Sequence, residues 1–239
     1  MKILLQICCA NCAAYPSKKL REEGHKLTGF WFNPNIQPYE EYKSRLNSLK
    51  NLADRWRIDM IYIDEYPVEE LSDTKLQNEN CKMKIVNLQS TAPNKAYDIV
   101  NRNIITDEPH EILGQPERCK ACYRLRLKKT AEEASKQGFD AFTTTLLISP
   151  YQDFDQITAI GTEIADKYNV SFYLRDFRPD FRKSTAIAKE LGLYRQRYCG
   201  CIFSKEEMER TKEKRDKNNQ KLNIKNKNYG LQFVEKKVQ

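Results

Sequence analysis

The sequence predicts an α/β protein built on a parallel sheet with helical crossovers. Two observations carry this. Short apolar runs alternate with stretches of helical periodicity over about the first sixty residues and again beyond residue 118, which is the pattern that parallel strands joined by crossovers produce. The chain also has 239 residues, enough for one sizeable core with appendages.

The opening Lys-Ile-Leu-Leu-Gln-Ile reads as strand one. A loop and helix follow it, with Pro16 suited to an early turn and Gly24 closing the element. Leu27 onward forms strand two, closed by an Asn33-Pro34-Asn35 turn, and Tyr39 to Arg57 a helix with Tyr42, Leu46, Leu49 and Leu52 or Ala53 on one face. Strand three runs from Ile58 to Tyr66. The second half continues with helix Arg118–Gln137, strand Ala141–Ile148, helix Phe154–Lys167, strand Ser171–Asp176 and helix Arg182–Leu191. Five strands are expected in a catalytic domain over 1–204. An insertion over about 65–110 interrupts it with Asn, Lys, Gln and Thr and no clear period, and a basic tail over 205–239 follows. In that tail Ser204 and Glu207 have capping-box spacing for one short helix, and the Asn/Lys-rich remainder has little apolar surface to bury.

Lys and Arg number 41 against 33 Asp and Glu, a net charge of +8, and the mean hydropathy is −0.76. No apolar run approaches the ~20 residues that a membrane span needs, and the N-terminus lacks a signal-like core. A cytoplasmic protein without a membrane partner is therefore expected. Eleven Lys/Arg against six Asp/Glu lie after Ser204, so +5 of the charge sits in the tail, where a polyanion is one partner it suits.

Eight cysteines in a chain without an export signal argue against a disulfide framework. Cys8, Cys9 and Cys12 lie together, Cys119 and Cys122 form a C-x-x-C, and Cys199 and Cys201 flank Gly200; Cys81 stands apart. The first cluster directly follows strand one, where open α/β sheets bind ligands, yet neither a glycine-rich nor a P-loop signature occurs there. Two adjacent cysteines plus the C-x-x-C supply four thiolates, which suits a cubane iron–sulfur cluster, with a single tetrahedral zinc as the alternative. The C-G-C pair suits either metal ligation or dithiol–disulfide cycling, and Gly200 admits the unusual backbone of so short a loop. His25 and His110 are too scattered to form a site. Tyr39, Tyr42, Tyr123, Tyr194 and Tyr198, near Arg124, Arg195 and Arg197, are of the types that stack on RNA bases and clamp phosphates, although packing explains each of them equally well.

ICCANC, FNPNIQPYEEY, ERCKACYRLRL, TTTLLISPYQD and LYRQRYCGCIFS, in this order, resemble the QueH-type epoxyqueuosine reductases from Lys2 to Asp64 and from Glu111 to Ser204. The resemblance implies a HUP-like fold, similar to the ATP pyrophosphatases, and reduction of epoxyqueuosine to queuosine at the wobble position of tRNAs with a GUN anticodon. It further implies a 4Fe-4S cluster on Cys8, Cys9, Cys119 and Cys122, with Cys199 and Cys201 as a redox pair or as ligands of a second, mononuclear iron. Some relatives carry a carboxylate in place of Cys12, which leaves the role of this thiol open. Tyr151, Asp153 and Tyr198 are candidate proton donors by their place in the motifs. The electron donor is not legible. Two other readings compete, a cluster-dependent tRNA thiolase, which requires ATP, and a zinc-stabilised RNA-binding module without catalysis.

Overall fold

The computed structural model describes residues 1–64 and 115–235, with backbone only for 115–116 and 222–235. Cys81, His110 and the insertion expected over 65–110 lie outside the described residues. The chain divides into two compact units, Met1–Gln196 and Arg197–Gln239, so the C-G-C is grouped with the C-terminal helix and not with the sheet.

The first unit holds five parallel strands: β1 (Lys2–Gln6), β2 (Lys26–Trp31), β3 (Asp59–Tyr62), β4 (Ala141–Thr144) and β5 (Ser171–Phe172). Their order is β3-β2-β1-β4-β5, so the chain reverses direction between β1 and β4. Crevices at such reversals are where doubly wound sheets bind ligands. β1 is the central strand, and Ile3, Leu4 and Leu5 are wholly buried, as a strand covered on both faces requires. Its register sets Leu5 beside Gly29 of β2 and beside Thr143 of β4.

Helix α1 (Ala10–Glu22) packs on α2 (Tyr39–Trp56) and on α5 (Phe181–Glu190), while α3 (Gln115–Lys136) packs on α4 (Phe154–Tyr168) and on the central strands. α2 buries Tyr42, Leu46, Leu49, Leu52 and Ala53, the face its periodicity predicts. α1 starts earlier than its proline suggests. Ala10 is its first residue, so Pro16 falls in the second turn, where it has no N–H to return to the Cys12 carbonyl.

β3 stops at Tyr62, short of the expected Tyr66, and β4 and β5 are also shorter than expected, these two for one reason. β4 ends at Thr144 because its hydroxyl accepts the Leu146 N–H at 3.1 Å and turns Thr145–Ile148 into a 3-10 helix. β5 then has little left to pair with: Tyr173 N–H reaches the Phe142 carbonyl at 2.8 Å, and beyond it Arg175 pairs with Glu23.

The second unit carries the largest departure from expectation. In place of one short helix and an irregular tail, α6 runs from Ile202 to Glu235. It is polar around its circumference over the described side chains, and i,i+4 pairs of Lys205 with Glu209 at 3.5 Å and Arg210 with Glu206 at 3.4 Å support it.

The fold makes one prediction. A Cβ at Gly161 of α4 would lie within 2.6 Å of ring carbons of Phe172, which packs on Phe142 with ring centroids 5.1 Å apart. Alanine in mid-helix normally stabilises, but here the overpacking should prevail. Gly161→Ala is expected to lose about 1–2 kcal/mol and several degrees of Tm, read by thermal unfolding; an unchanged or raised Tm would show that Phe172 yields freely.

Candidate metal centre

At the carboxyl end of β1 the chain runs straight into Cys8 and Cys9, and α1 begins one residue later. The sulfurs of Cys8, Cys9 and Cys12 all lie within 4.8 Å of one another, and all three residues are buried. They are thiols, not disulfides. Cys9 is the N-cap of α1: its sulfur accepts the Cys12 N–H at 3.3 Å, replacing the oxygen that usually caps a helix. Cys8 is fixed from the 3-10 helix that follows β4, because its N–H donates to Thr145 Oγ1 at 3.1 Å and the same hydroxyl lies 3.3 Å from its sulfur.

The three thiols differ in acidity. Hydrogen bonds from Cys12 and then Cys9 hold Cys8 well below the usual thiol range against the cost of burial, with further help from the positive charge of Arg126. Burial pushes Cys9 up to about 12. Cys12 is raised well above its ordinary value because its S–H donates hydrogen bonds to Cys8 and Cys9, with burial adding to the rise. The group thus favours the anion at Cys8 over the anion at Cys9 or Cys12.

Two fully buried arginines stand by this group. Arg45 of α2 pairs with Glu41 at 2.7 Å and acts electrostatically on Cys9. Arg126 of α3 donates from Nε and Nη2 to Asn35 Oδ1 at 3.1 and 2.5 Å. Since Arg126 acts on Cys8, and Cys119 and Cys122 precede it by seven and four residues on the same helix, these two cysteines share its face. Cys122 is buried, and Cys119 packs half-buried against the core. Among the described residues the sulfur group within 4.8 Å includes Cys12 and neither Cys119 nor Cys122.

A buried polar lattice holds the loop ends. Asn33 Nδ2 donates to the Ile7 carbonyl at 2.8 Å, Gln6 Nε2 donates to Asn33 Oδ1 at 3.2 Å, and Thr144 Oγ1 donates to Gln6 Oε1 at 2.7 Å. Gln196, at the end of the first unit, brings its Nε2 to 3.6 Å from Cys12 Sγ.

In the second unit, Cys199 and Cys201 are half-buried at the start of α6, and Gly200 adopts φ 130°, a conformation that favours glycine. Ser204 serves this turn instead of a capping box: its hydroxyl donates to the Cys201 carbonyl at 2.9 Å and accepts the Gly200 N–H at 3.3 Å.

Several residues suited to RNA contact are occupied in packing. Tyr42 is buried between Trp31 Nε1 at 2.9 Å and Asp64 at 2.6 Å, and Tyr123 bonds Gln152 at 3.0 Å. Arg124 forms a two-point pair with Glu163, and the Tyr194 hydroxyl meets Glu41 at 2.5 Å. Tyr39 stacks on Tyr42. Arg195 and Arg197 are exposed, and Tyr198 is half-buried. Of the candidate proton donors, Asp153 caps α4 through the Gln156 N–H at 3.0 Å, and Tyr151 is exposed.

A doubly wound sheet that brings three buried cysteines together at its strand reversal defines an α/β protein whose soft donor set could hold a metal, and such donors suit iron–sulfur or zinc chemistry. Comparison with known proteins narrows this. The model of the family "Epoxyqueuosine reductase QueH" matches residues 3–92 and 78–207. A Dehalococcoides mccartyi epoxyqueuosine reductase QueH is 30% identical over 86% of this chain and 93% of its own. One from Thermotoga maritima is 32% identical over 84% and 89%. The chain belongs to the QueH epoxyqueuosine reductase family and is an oxidoreductase.

Sequence reasoning missed Gln6, Asn33, Asn35, Thr145, Arg45, Arg126 and Gln196 as residues of this site. A signal was available for Gln6, Asn33, Asn35, Arg126 and Gln196, which lie in or beside a cysteine motif or the Asn-Pro-Asn turn; Arg45 and Thr145 carried none.

Thr145 provides the test of the site's framework. Thr145→Val keeps the shape but leaves the buried Cys8 N–H without its acceptor, so it should cost about 1–3 kcal/mol in chemical denaturation. Thr145→Ser should restore most of it. Equal stability of valine and serine variants would remove Thr145 from the framework.

Proposed function

We propose that the chain reduces epoxyqueuosine to queuosine at the wobble position of tRNAs with a GUN anticodon, using a 4Fe-4S cluster held by Cys8, Cys9, Cys119 and Cys122. The observation that carries this reading is the buried sulfur group at the strand reversal of a chain belonging to the QueH epoxyqueuosine reductase family. Converting an epoxide to an alkene releases the oxygen as water and takes two electrons and two protons. A cubane, when bound, supplies electrons one at a time. Cys199 and Cys201 would provide the second element, either as a dithiol, whose oxidation to a disulfide releases two electrons and two protons, or as ligands of a mononuclear iron.

The chain's own residues prepare the site in three ways. Hydrogen bonds from Cys12, Cys9 and Thr145 favour the thiolate form of Cys8, the form in which sulfur binds metal. The lattice of Gln6, Asn33 and Thr144 fixes the loops that carry it. Burial of the three sulfurs keeps bulk water from them. Within α6 the basic residues after Ser204 offer phosphate contacts, which suits a tRNA substrate. A cytoplasmic location accords with this substrate and with free thiols. Among the described residues, no helix is long and apolar enough to cross a membrane.

Protein prepared without oxygen is expected to contain iron and sulfide, and Cys119→Ser to lose the cluster absorption. Zinc alone would favour a structural metal site, and a complete cluster in Cys119→Ser would mean a different ligand set, with Cys12 the first candidate.

Cys199→Ser and Cys201→Ser should retain cluster absorption while queuosine formation falls by at least a hundredfold, measured on one sample. Joint loss of cluster and activity would make the C-G-C a cluster ligand.

A further inference from the structure

Arg126 and Asn35 carry an inference that rests on the reading of the cysteines as metal ligands. A guanidinium has only donors, so the Asn35 atom at 3.1 and 2.5 Å from Arg126 Nε and Nη2 must be its oxygen. The amide orientation is thereby fixed, and Nδ2 is turned away from Arg126. Both residues are buried, and among the described residues Nδ2 has no hydrogen-bond partner. An unpaired buried N–H of this kind costs about 1–3 kcal/mol, which argues for an acceptor that the described residues do not supply.

The location indicates what that acceptor is. Asn33, two residues earlier, is bonded to the Ile7 carbonyl at 2.8 Å, immediately before Cys8, and Arg126 acts on the Cys8 sulfur. Three or four thiolates on a metal centre carry net negative charge, and burying it requires a compensating cation and N–H donors.

We propose that Asn35 and Arg126 form a preset counter-charge for an anionic metal-thiolate centre, Arg126 supplying the cation and Asn35 an N–H donor oriented by it. Both are positioning residues. Their presence favours the more negative, reduced state of a redox centre and strengthens binding of any divalent thiophilic metal whose uptake leaves the site anionic.

The test uses the full chain and Co²⁺, followed by its thiolate charge-transfer absorption. Asn35→Asp keeps an oxygen for Arg126, removes the N–H donor and cancels the charge; Arg126→Met removes the cation, and Arg126→Lys retains it. Thermal melting verifies that each variant is folded, and Asn35→Asp decides the matter where Arg126→Met does not fold. Co²⁺ affinity should fall about tenfold in Asn35→Asp and Arg126→Met and less in Arg126→Lys. In iron–sulfide-loaded protein the reduced-to-oxidised ratio at fixed potential should fall about tenfold, a shift of about 59 mV for one electron. Co²⁺ affinities of folded Asn35→Asp and Arg126→Met within twofold of the parent would overturn the proposal. A parent chain that takes Co²⁺ but assembles no iron–sulfide centre would instead overturn the cluster reading, and the counter-charge is still decided by the Co²⁺ data.

Discussion

Everything at the cysteine site depends on one wholly buried glutamine. Gln6 ends the central strand, and its side-chain amide reaches both neighbours: Nε2 donates to Asn33 beyond β2, and Oε1 accepts from Thr144 at the end of β4. Asn33 passes the constraint on by donating to the Ile7 carbonyl, which lies past the end of β1. Three loops thus leave the sheet from ends joined by side chains, and each supplies a part of the site: the cysteines after β1, Asn35 after β2, Thr145 after β4. An apolar residue at position 6 would leave Thr144 and Asn33 with unpaired polar groups in the interior, where no water replaces them. A single backbone ladder would not achieve this, because parallel pairing aligns strands but leaves their exits free to diverge.

The thiols illustrate a balance between burial and ionisation. Removing sulfur from water disfavours its anion, and at Cys9 this effect prevails. At Cys8 it is outweighed, because Cys12, Cys9 and the Thr145 hydroxyl lie around one sulfur. Cys12 has a meaning here that spacing could not reveal: its hydrogen bonding is the largest cause of the lowering at Cys8, and its own thiol is raised in turn.

The alternation of strands and helices was legible because parallel strands and amphipathic helices leave periodic marks; Tyr42, Leu46, Leu49 and Leu52 identify the buried face of α2 without any structure. The cysteine clusters were legible as chemistry because thiols are rarely spent in tight groups without purpose. What remained hidden is tertiary. Thr144 looks like any strand threonine until its hydroxyl is seen to cap the next turn, and Arg126 differs in burial, not in type, from Arg124 two residues earlier, which pairs at the surface with Glu163. α6 was obscured for another reason: its few apolar residues lack a helical stripe, and its stability comes from charge pairs along its own surface.

The central pairing of β1 with β4 also has a temporal side. The bond from Cys8 to Thr145 spans 137 residues, and the 3-10 helix that carries Thr145 cannot dock before it has been synthesised. At roughly 5–20 residues per second, translation leaves an interval on the order of ten seconds between the appearance of the first thiols and that of their hydroxyl partner. During this interval the nascent chain presents Cys8, Cys9 and Cys12 with only the β2 side of their enclosure. The sulfurs are then at their most accessible, so the order in which the ribosome delivers the sheet sets the moment at which they become enclosed.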